Sequence, residues 1–529
     1  MSWELPAIGR PRPLTGSSYH SRIWLVTKVP CGYCSVVEAV SGLTREILDR
    51  ARRSRDARFD GRFFIAVRST RIYCRPICPS RFSNDSNIRY YASAAEAAQA
   101  GYRPCLRCRP EAAPGSPAWT GTSAVVQRAL RLIQDGALDQ TTLGKLASRL
   151  GIGVRHLSRL FAQHVGASPA TVAQTRRLHF AKRLLDDTRL SITDIAHASG
   201  FRSIRRFNDA FLTTYRKSPR ELRKGKRFDA NESQGAEITL RLAYRPPYNW
   251  DHMLSVLAMG AIEGVEVVTV GGYTRAVPTP SGHAVLHIRP VAHTHALEVR
   301  IRGAMPAELP PLLASVRRMF DLTADPARIA AALQCDPLLL LLIGRRPGLR
   351  IPGVWDPFEC SVRAIVGQHG GVRGQLGVLK RLVERFGQPI ESVVADSRYL
   401  FPTPAVLADA NLDELDLSRT HREALRRLAR GVCDTVIRFD APSEEINRLL
   451  CELPGVGRWT AGYVELRGLG EPDAFPFGDL LLRRLASNGE KALTPMALEE
   501  RAEGWRPFRG YAVFHLWASE QPRGSRNVV

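Results

Sequence analysis

Between residues 121 and about 224 the apolar positions recur at helical spacing. Leu143, Leu146, Ala147 and Leu150 fall on one helix face, Gly151 interrupts, and Val154, Leu157, Leu160 and Phe161 form the next. Ile192, Ile195 and Ala196, then Ser199-Gly200-Phe201, then Ile204, Phe207 and Phe211 repeat the pattern. The segment therefore predicts two helix-turn-helix units joined by one long helix, about Ala170 to Asp187. Beyond the charged stretch Arg223 to Gln234 the period changes. Ile238 to Leu242, Val265 to Val270 and Ala284 to Ile288 predict strands of an antiparallel sheet, the last two separated by Gly271-Gly272 and a Pro/Gly loop. From about 308 to 520 helices return, broken at Arg346-Pro347-Gly348 and Leu453-Pro454-Gly455. Upstream, residues 44–112 hold a strand-like run, Phe63 to Val67, and an Ala-rich helical stretch, Ser93 to Ala100, before a linker at Ala113-Pro114-Gly115-Ser116-Pro117. Residues 1–43 show no period and read as a leader.

A chain of 529 residues exceeds one core, and its length suggests about three to four domains. The formal charge of +24, from 75 Lys and Arg against 51 Asp and Glu, favours a polyanion. A membrane is the rival partner, but the longest apolar run, Leu338 to Ile343, is far short of a bilayer span. No apolar core followed by a cleavage site occupies the first forty residues, so a cytoplasmic, nucleoid-associated protein is expected. Ten cysteines in such a chain point to metal or thiol chemistry. Cys335, Cys360, Cys433 and Cys451 read as buried spectators, and Cys31-Gly-Tyr-Cys34 as a pair without a partner pair.

Cys74, Cys78, Cys105 and Cys108 form Cys-x3-Cys, 26 residues, then Cys-x2-Cys, a spacing that closes a tetrahedral Zn2+. Spacing alone favours a structural zinc ribbon, whereas Arg75 beside Cys74 suggests a reactive sulfur. Phe63 to Pro76 and Gly101-Tyr102-Arg103-Pro104-Cys105-Leu106-Arg107-Cys108-Arg109-Pro110 resemble the N-terminal domain of the Ada methylation-response family. The resemblance implies that all four cysteines bind zinc and that Cys74 also accepts a methyl group from a DNA methylphosphotriester. One methylation would remove a unit of negative charge from the site and favour DNA binding. Arg71 stands where that family usually has glycine.

Ile195 to Ser203 and Ser218-Pro219-Arg220-Glu221-Leu222-Arg223 give the helical segment its similarity to the AraC-type DNA-binding domain. Recognition helices would start near Gly153 and Ser203 and offer Arg155, His156, Arg205 and Arg206 to a major groove, or to phosphate only.

Leu453-Pro454-Gly455-Val456-Gly457-Arg458-Trp459-Thr460-Ala461 is a helix-hairpin-helix loop whose two glycines, Gly455 and Gly457, let backbone amides approach a DNA phosphate. Asp479 follows 24 residues after Gly455, in Phe475-Pro476-Phe477-Gly478-Asp479-Leu480. This pairing, with Arg346 to Gly353, Ala364-Ile365-Val366-Gly367-Gln368 and Trp505 to Trp517, resembles the AlkA family of alkyladenine DNA glycosylases over residues 238–520. The resemblance implies a catalytic Asp479, a base pocket of Trp459, Tyr463 and Trp517, and a duplex contact at His369. Relatives with lyase activity carry a lysine where Trp459 stands, so hydrolysis without a Schiff base is expected. Leu480, Val256 and His369-Gly370-Gly371 depart from the family pattern.

The expected fold is multidomain: a small α+β zinc domain (44–112), an all-α double helix-turn-helix (121–224), an α+β antiparallel-sheet domain (236–345) and an all-α helix-hairpin-helix glycosylase domain (346–520). The expected function is excision of alkylated bases such as 3-methyladenine, joined to methylphosphotriester sensing and transcription regulation. Double-stranded alkylated and promoter DNA and RNA polymerase are the expected partners. The alternative is a regulator with an inactive glycosylase half.

Overall fold

The computed structural model describes residues 40, 42–81, 83–114, 124–223, 237–368, 371–391, 397–487 and 491–520. The leader, with Cys31 and Cys34, and His369 lie outside the described residues. No described helix is long and apolar enough to cross a membrane.

The zinc module begins with α1 (Arg45–Ser54) and builds a sheet from β1 (Phe64–Val67), β2 (Ile72–Cys74), β3 (Ile88–Tyr91) and β4 (Arg103–Pro104), in the order β3-β1-β2-β4. Alternate β1 residues serve two small cores: Ile65 packs with Leu48 and Tyr90, Phe64 and Ala66 with Tyr73 and Tyr102. Ser93 caps α2 (Ala94–Gln99) by accepting the Glu96 amide. The β1–β2 turn passes through Arg71 at φ 54, the left-handed region that glycine would fill without strain. Its guanidinium lies over the Tyr102 ring, 4.9 Å from the centroid, which offsets part of that strain.

The helical segment holds α3 (Ala124–Gln134), the pair α4 (Leu143–Arg149) and α5 (Val154–Val165), the long α6 (Pro169–Asp187), and the pair α7 (Ile192–Ala198) and α8 (Ile204–Tyr215). Thr142, Ser168, Ser191 and Ser203 each accept an amide at a helix start, which fixes where the turns fall. Asp139 pairs with Arg176 and Arg177 of α6 and lies against Gly200, where a Cβ would collide with its carboxylate.

The sheet that follows is larger than expected. It has five antiparallel strands, β5 (Glu237–Ala243), β6 (Glu266–Thr269), β7 (Gly272–Thr279), β8 (Gly282–Pro290) and β9 (Ala296–Arg302), ordered β5-β9-β8-β7-β6. The stretch after Gly271-Gly272 is strand β7, not a loop. Its Arg275 is buried by pairing, with Glu266 at 3.0 Å and Glu359 of a later helix, so a charge interrupts the strand where its neighbours carry apolar runs. Helix α9 (Trp250–Met259) intervenes between β5 and β6, and α10 (Leu309–Met319) follows the sheet.

The remaining helices include α11 (Pro357–Val366), α12 (Arg419–Cys433), α13 (Arg458–Val464), α14 (Leu480–Leu485) and α15 (Arg509–Glu520). Glu359 and Arg363 on α11 complete the buried network with Glu266 and Arg275, tying sheet to helices. Cys360 is buried as expected, but Cys335, in the turn between two helices, and Cys433, at the end of α12, are exposed and Cys451 is half-buried.

The modules share cores. Phe201, Phe207, Phe211 and Tyr215 of the second helix-turn-helix unit belong to one apolar cluster with Leu240, Leu286, Val299 and Phe320 of the sheet domain. The zinc module is fastened by Arg62 to Asp325 at 3.0 Å and by Arg245, fully buried, donating to the Asp60 carbonyl at 3.0 Å.

Candidate metal centre and nucleic-acid site

Strand β2 delivers Cys74, the following turn Cys78, and the segment after β4 Cys105 and Cys108. The Cys105 amide donates to the Tyr73 carbonyl at 2.9 Å and the Cys78 amide to the Arg75 carbonyl at 3.1 Å, which folds both pairs toward one point. One ligand atom from each cysteine lies within 4.8 Å of the others. A tetrahedron of sulfurs at about 2.3 Å from zinc has edges of about 3.8 Å, so the donor set fits that ion. As a residue Cys74 is half-buried, while the other three are buried.

The arginine beside Cys74 does not act as the sequence suggested. The Arg75 guanidinium is buried and paired with Asp60 through both carboxylate oxygens, and it donates to the Cys108 carbonyl at 3.1 Å. Its charge is neutralised there. The backbone amide of Arg75, not the side chain, reaches the Cys108 sulfur at 3.4 Å.

The same module grips α6. The Tyr73 hydroxyl meets His179 Nε2 at 2.8 Å, and burial pushes that imidazole down to about 3, so it is neutral. Arg109 pairs with Asp186 and Asp187 at 2.9 Å each. On the helices that follow the two turns, Arg155, His156, Arg205 and Arg206 are all exposed on the first turn of α5 and α8. His156 Nδ1 is held by Arg159 at 2.9 Å. Gly153 and Ser203 are the N-caps of these helices, where the sequence placed their starts.

In the helical domain the hairpin turns at Gly455, φ +71, where a Cβ would also press on Thr420. Gly457 caps α13 without a side-chain acceptor, and a Cβ there would meet open space, so its amides face outward. Trp459 and Tyr463, one helical turn apart on α13, stack at 5.5 Å and 19°. Asp479 is 8% exposed; one oxygen accepts the Leu482 amide at 2.8 Å, capping α14, and the other accepts the Trp459 indole N–H at 2.9 Å. The cap and the carboxylate facing the aromatic pair are thus the same residue.

Trp517 is on α15, which packs against α14, and meets Phe514 edge-on at 5.3 Å within a different core cluster. Val256 of α9 packs against that same cluster. Leu480 is 73% exposed beside Asp479.

Two residues near the pair escaped the sequence reading. Past α13 the helix widens into a π turn, Glu465–Leu469, and Arg467 donates to the Tyr463 hydroxyl at 2.7 Å and to the Pro352 carbonyl at 2.7 Å. The i, i+4 spacing of Tyr463 and Arg467 was a usable signal. Gln368 bridges Thr460 of α13 at 2.7 Å and His421 of α12 at 3.0 Å; nothing in its local sequence marks that role.

Comparison with known proteins covers both sites. Family models for the metal binding domain of Ada, a helix-turn-helix domain and the AlkA N-terminal domain match residues 48–111, 146–225 and 239–356. The probable bifunctional transcriptional activator/DNA repair enzyme AlkA of Mycobacterium tuberculosis is 38% identical over 477 residues, 89% of this chain and 95% of that protein. The chain belongs to this bifunctional Ada/AlkA family. Two further relatives divide it: the DNA-3-methyladenine glycosylase 2 of Escherichia coli is 33% identical over 53% of this chain and 96% of its own. The bifunctional Ada enzyme of the same organism is 39% identical over 25% of this chain and 35% of its own. Membership accounts for the multidomain architecture and for zinc at the four-cysteine cluster.

Proposed function

We propose that this member of the Ada/AlkA family couples two chemistries, hydrolytic excision of alkylated bases at Asp479 and single-use methyl transfer to Cys74. DNA repair, glycosylase action and transcription regulation follow from the family; the residue roles are our reading.

The observation that carries the first chemistry is the hydrogen bond from the Trp459 indole to the Asp479 carboxylate. It places an acceptor-only group beside a stacked aromatic pair, and aromatic faces attract an electron-poor alkylpurine taken out of the duplex. Asp479 would stabilise the oxocarbenium-like sugar and orient water, the division of labour a carboxylate performs in sugar hydrolysis. With Trp459 in the position of the lysine nucleophile, the C–N bond breaks by water attack and no Schiff base forms. Release of 3-methyladenine from methylated duplex DNA should be lost by at least 100-fold in Asp479→Asn, and borohydride should trap no enzyme–DNA adduct. Equal release by the variant would remove Asp479 from the mechanism, and no release by the wild type would favour the purely regulatory reading.

The second chemistry is supported by the four-cysteine cluster, whose donor set fits zinc. Zinc keeps the sulfurs deprotonated at neutral pH. The Cys74 sulfur forms a bond to the methyl carbon, the carbon–oxygen bond of the phosphotriester breaks, and the phosphodiester leaves as an anion. Cys74 becomes a thioether and the site loses one negative charge, so the cysteine site repels phosphate less while the exposed Arg155, Arg205 and Arg206 attract it. The regulatory half would then act at a promoter with RNA polymerase, in the cytoplasm and on the nucleoid. Mass spectrometry after exposure to phosphotriester-containing DNA should find one added methyl on Cys74. An unmodified peptide would leave the module a structural zinc ribbon.

A further inference from the structure

A cavity of about 470 Å³ lies where the zinc module, α3, α6 and α10 meet, and neither of the two chemistries uses it. Its walls bring together the guanidinium groups of Arg176 and Arg183 from α6 and Arg317 and Arg318 from α10. Their partners are unequal. Arg183 donates to the Glu111 carbonyl at 2.7 Å and Arg176 pairs with Asp139, although its Nε is buried without a partner. Arg318 donates to the Trp355 carbonyl at 2.7 Å and to Ser315 at 3.2 Å, and its Nε is also buried and unpaired. Arg317 has no hydrogen bond or ion pair among the described residues.

Carboxylates line the same cavity, but most are committed elsewhere. Glu111 faces Lys182 and Arg109, Asp325 pairs with Arg62, Glu471 with Arg131, and Asp321 accepts the Tyr511 hydroxyl. Asp135 is the carboxylate that acts on Arg317, and Arg318 is drawn by Asp135 and Asp356. Burial, Arg183 and Arg176 push the Arg317 guanidinium down to about 9 against the pull of Asp135, and it is still charged at neutral pH. Arg317, Arg183 and Arg176 outnumber the one carboxylate that acts on Arg317, and an anion in the cavity offsets that excess of positive charge. Arg183 and Arg176 are the cations that act on Arg317, and guanidinium forks grouped in this way match the oxygens of phosphate. Leu130, Ile133 and Phe180 make part of the lining apolar, and the volume is in the range that encloses a small organic ligand.

We propose that this cavity is a binding site for a small organic phosphate of mononucleotide size, its phosphate held by Arg317 and Arg183 and its organic body laid against the apolar wall at Phe180. Because three modules contribute the lining, the ligand contacts sensor, DNA reader and glycosylase half together.

The test is isothermal titration of the full-length, zinc-loaded chain with deoxyadenosine 5′-monophosphate and with inorganic phosphate, at a salt concentration that suppresses loose surface binding. One site per chain is expected, with the nucleotide binding at least 10-fold tighter than phosphate. Arg317→Gln should weaken both by 10-fold or more, while base release and zinc content stay at wild-type levels. Ala314→Phe, which fills the cavity without touching a charge, should abolish nucleotide binding and show that the base pocket is not the site. Absence of binding to the wild type overturns the proposal. So does binding at several sites that Arg317→Gln leaves unchanged, since a chain of charge +24 attracts phosphate over its whole surface. Equal affinity for the two ligands overturns the role given to the apolar wall.

Discussion

Trp459 performs two tasks with different atoms: its ring stacks on Tyr463 and its N–H holds Asp479. They separate by substitution. Trp459→Phe keeps the face and removes a hydrogen bond to a carboxylate, worth about 1.5–3 kcal/mol, so excision should slow by about 10-fold or more with little change in binding of abasic duplex DNA. Single-turnover base release and an equilibrium binding titration read the two effects. Arg71 is a second test at this scale. Arg71→Gly relieves a left-handed backbone but removes the guanidinium from Tyr102, and each effect is about 1 kcal/mol or less. The variant should therefore melt within a few degrees of wild type and keep its zinc. The four cysteines and the Trp459–Asp479 pair were legible in the chain because short loops fix their spacing. Arg75 was misread because Asp60, which neutralises it, comes from a separate turn that no local pattern links to Cys74. Arg467 and Gln368 were missed because their partners lie on other elements or depend on a π turn.

Helices were easier to foresee than strands, and β7 shows why. Its neighbours carry short apolar runs, Val267-Val268 and Ala284-Val285-Leu286, whereas β7 places Arg275 in the interior between Glu266 and Glu359, so its charge conceals its burial. The side chains that explain the strand stand on β6 and α11, far along the chain. Removing one carboxylate leaves two buried arginines to share Glu266. Glu359→Ala should therefore destabilise the glycosylase half by about 3–5 kcal/mol, read as a lowered urea midpoint, with Arg275 and Arg363 both losing a carboxylate. The capped helices follow the opposite logic: Ser191 and Ser203 reach amides three residues on, so sequence alone marked where α7 and α8 begin.

Across the whole molecule, burial also sets a pH response. Burial, with Arg346 nearby, holds both His252 on α9 and His515 on α15 near 4, below the ordinary value of 6.5, and His252 adds to the effect on His515. The unfolded chain binds these protons first, so stability is full above about 6.5 and falls as pH drops toward 4. His515 alone contributes about 2 kcal/mol of this loss by pH 5. Thermal melts at pH 7 and pH 5 should differ less in His515→Gln than in wild type. The larger consequence lies in the apolar cluster that Phe207, Phe211 and Tyr215 share with Leu286 and Val299. Neither half of the chain owns that core. If the polypeptide were severed between residues 223 and 237, each piece would carry an uncovered apolar face shaped by the other, and fragments 1–230 and 231–529 expressed from separate genes should find one another and copurify as a noncovalent pair.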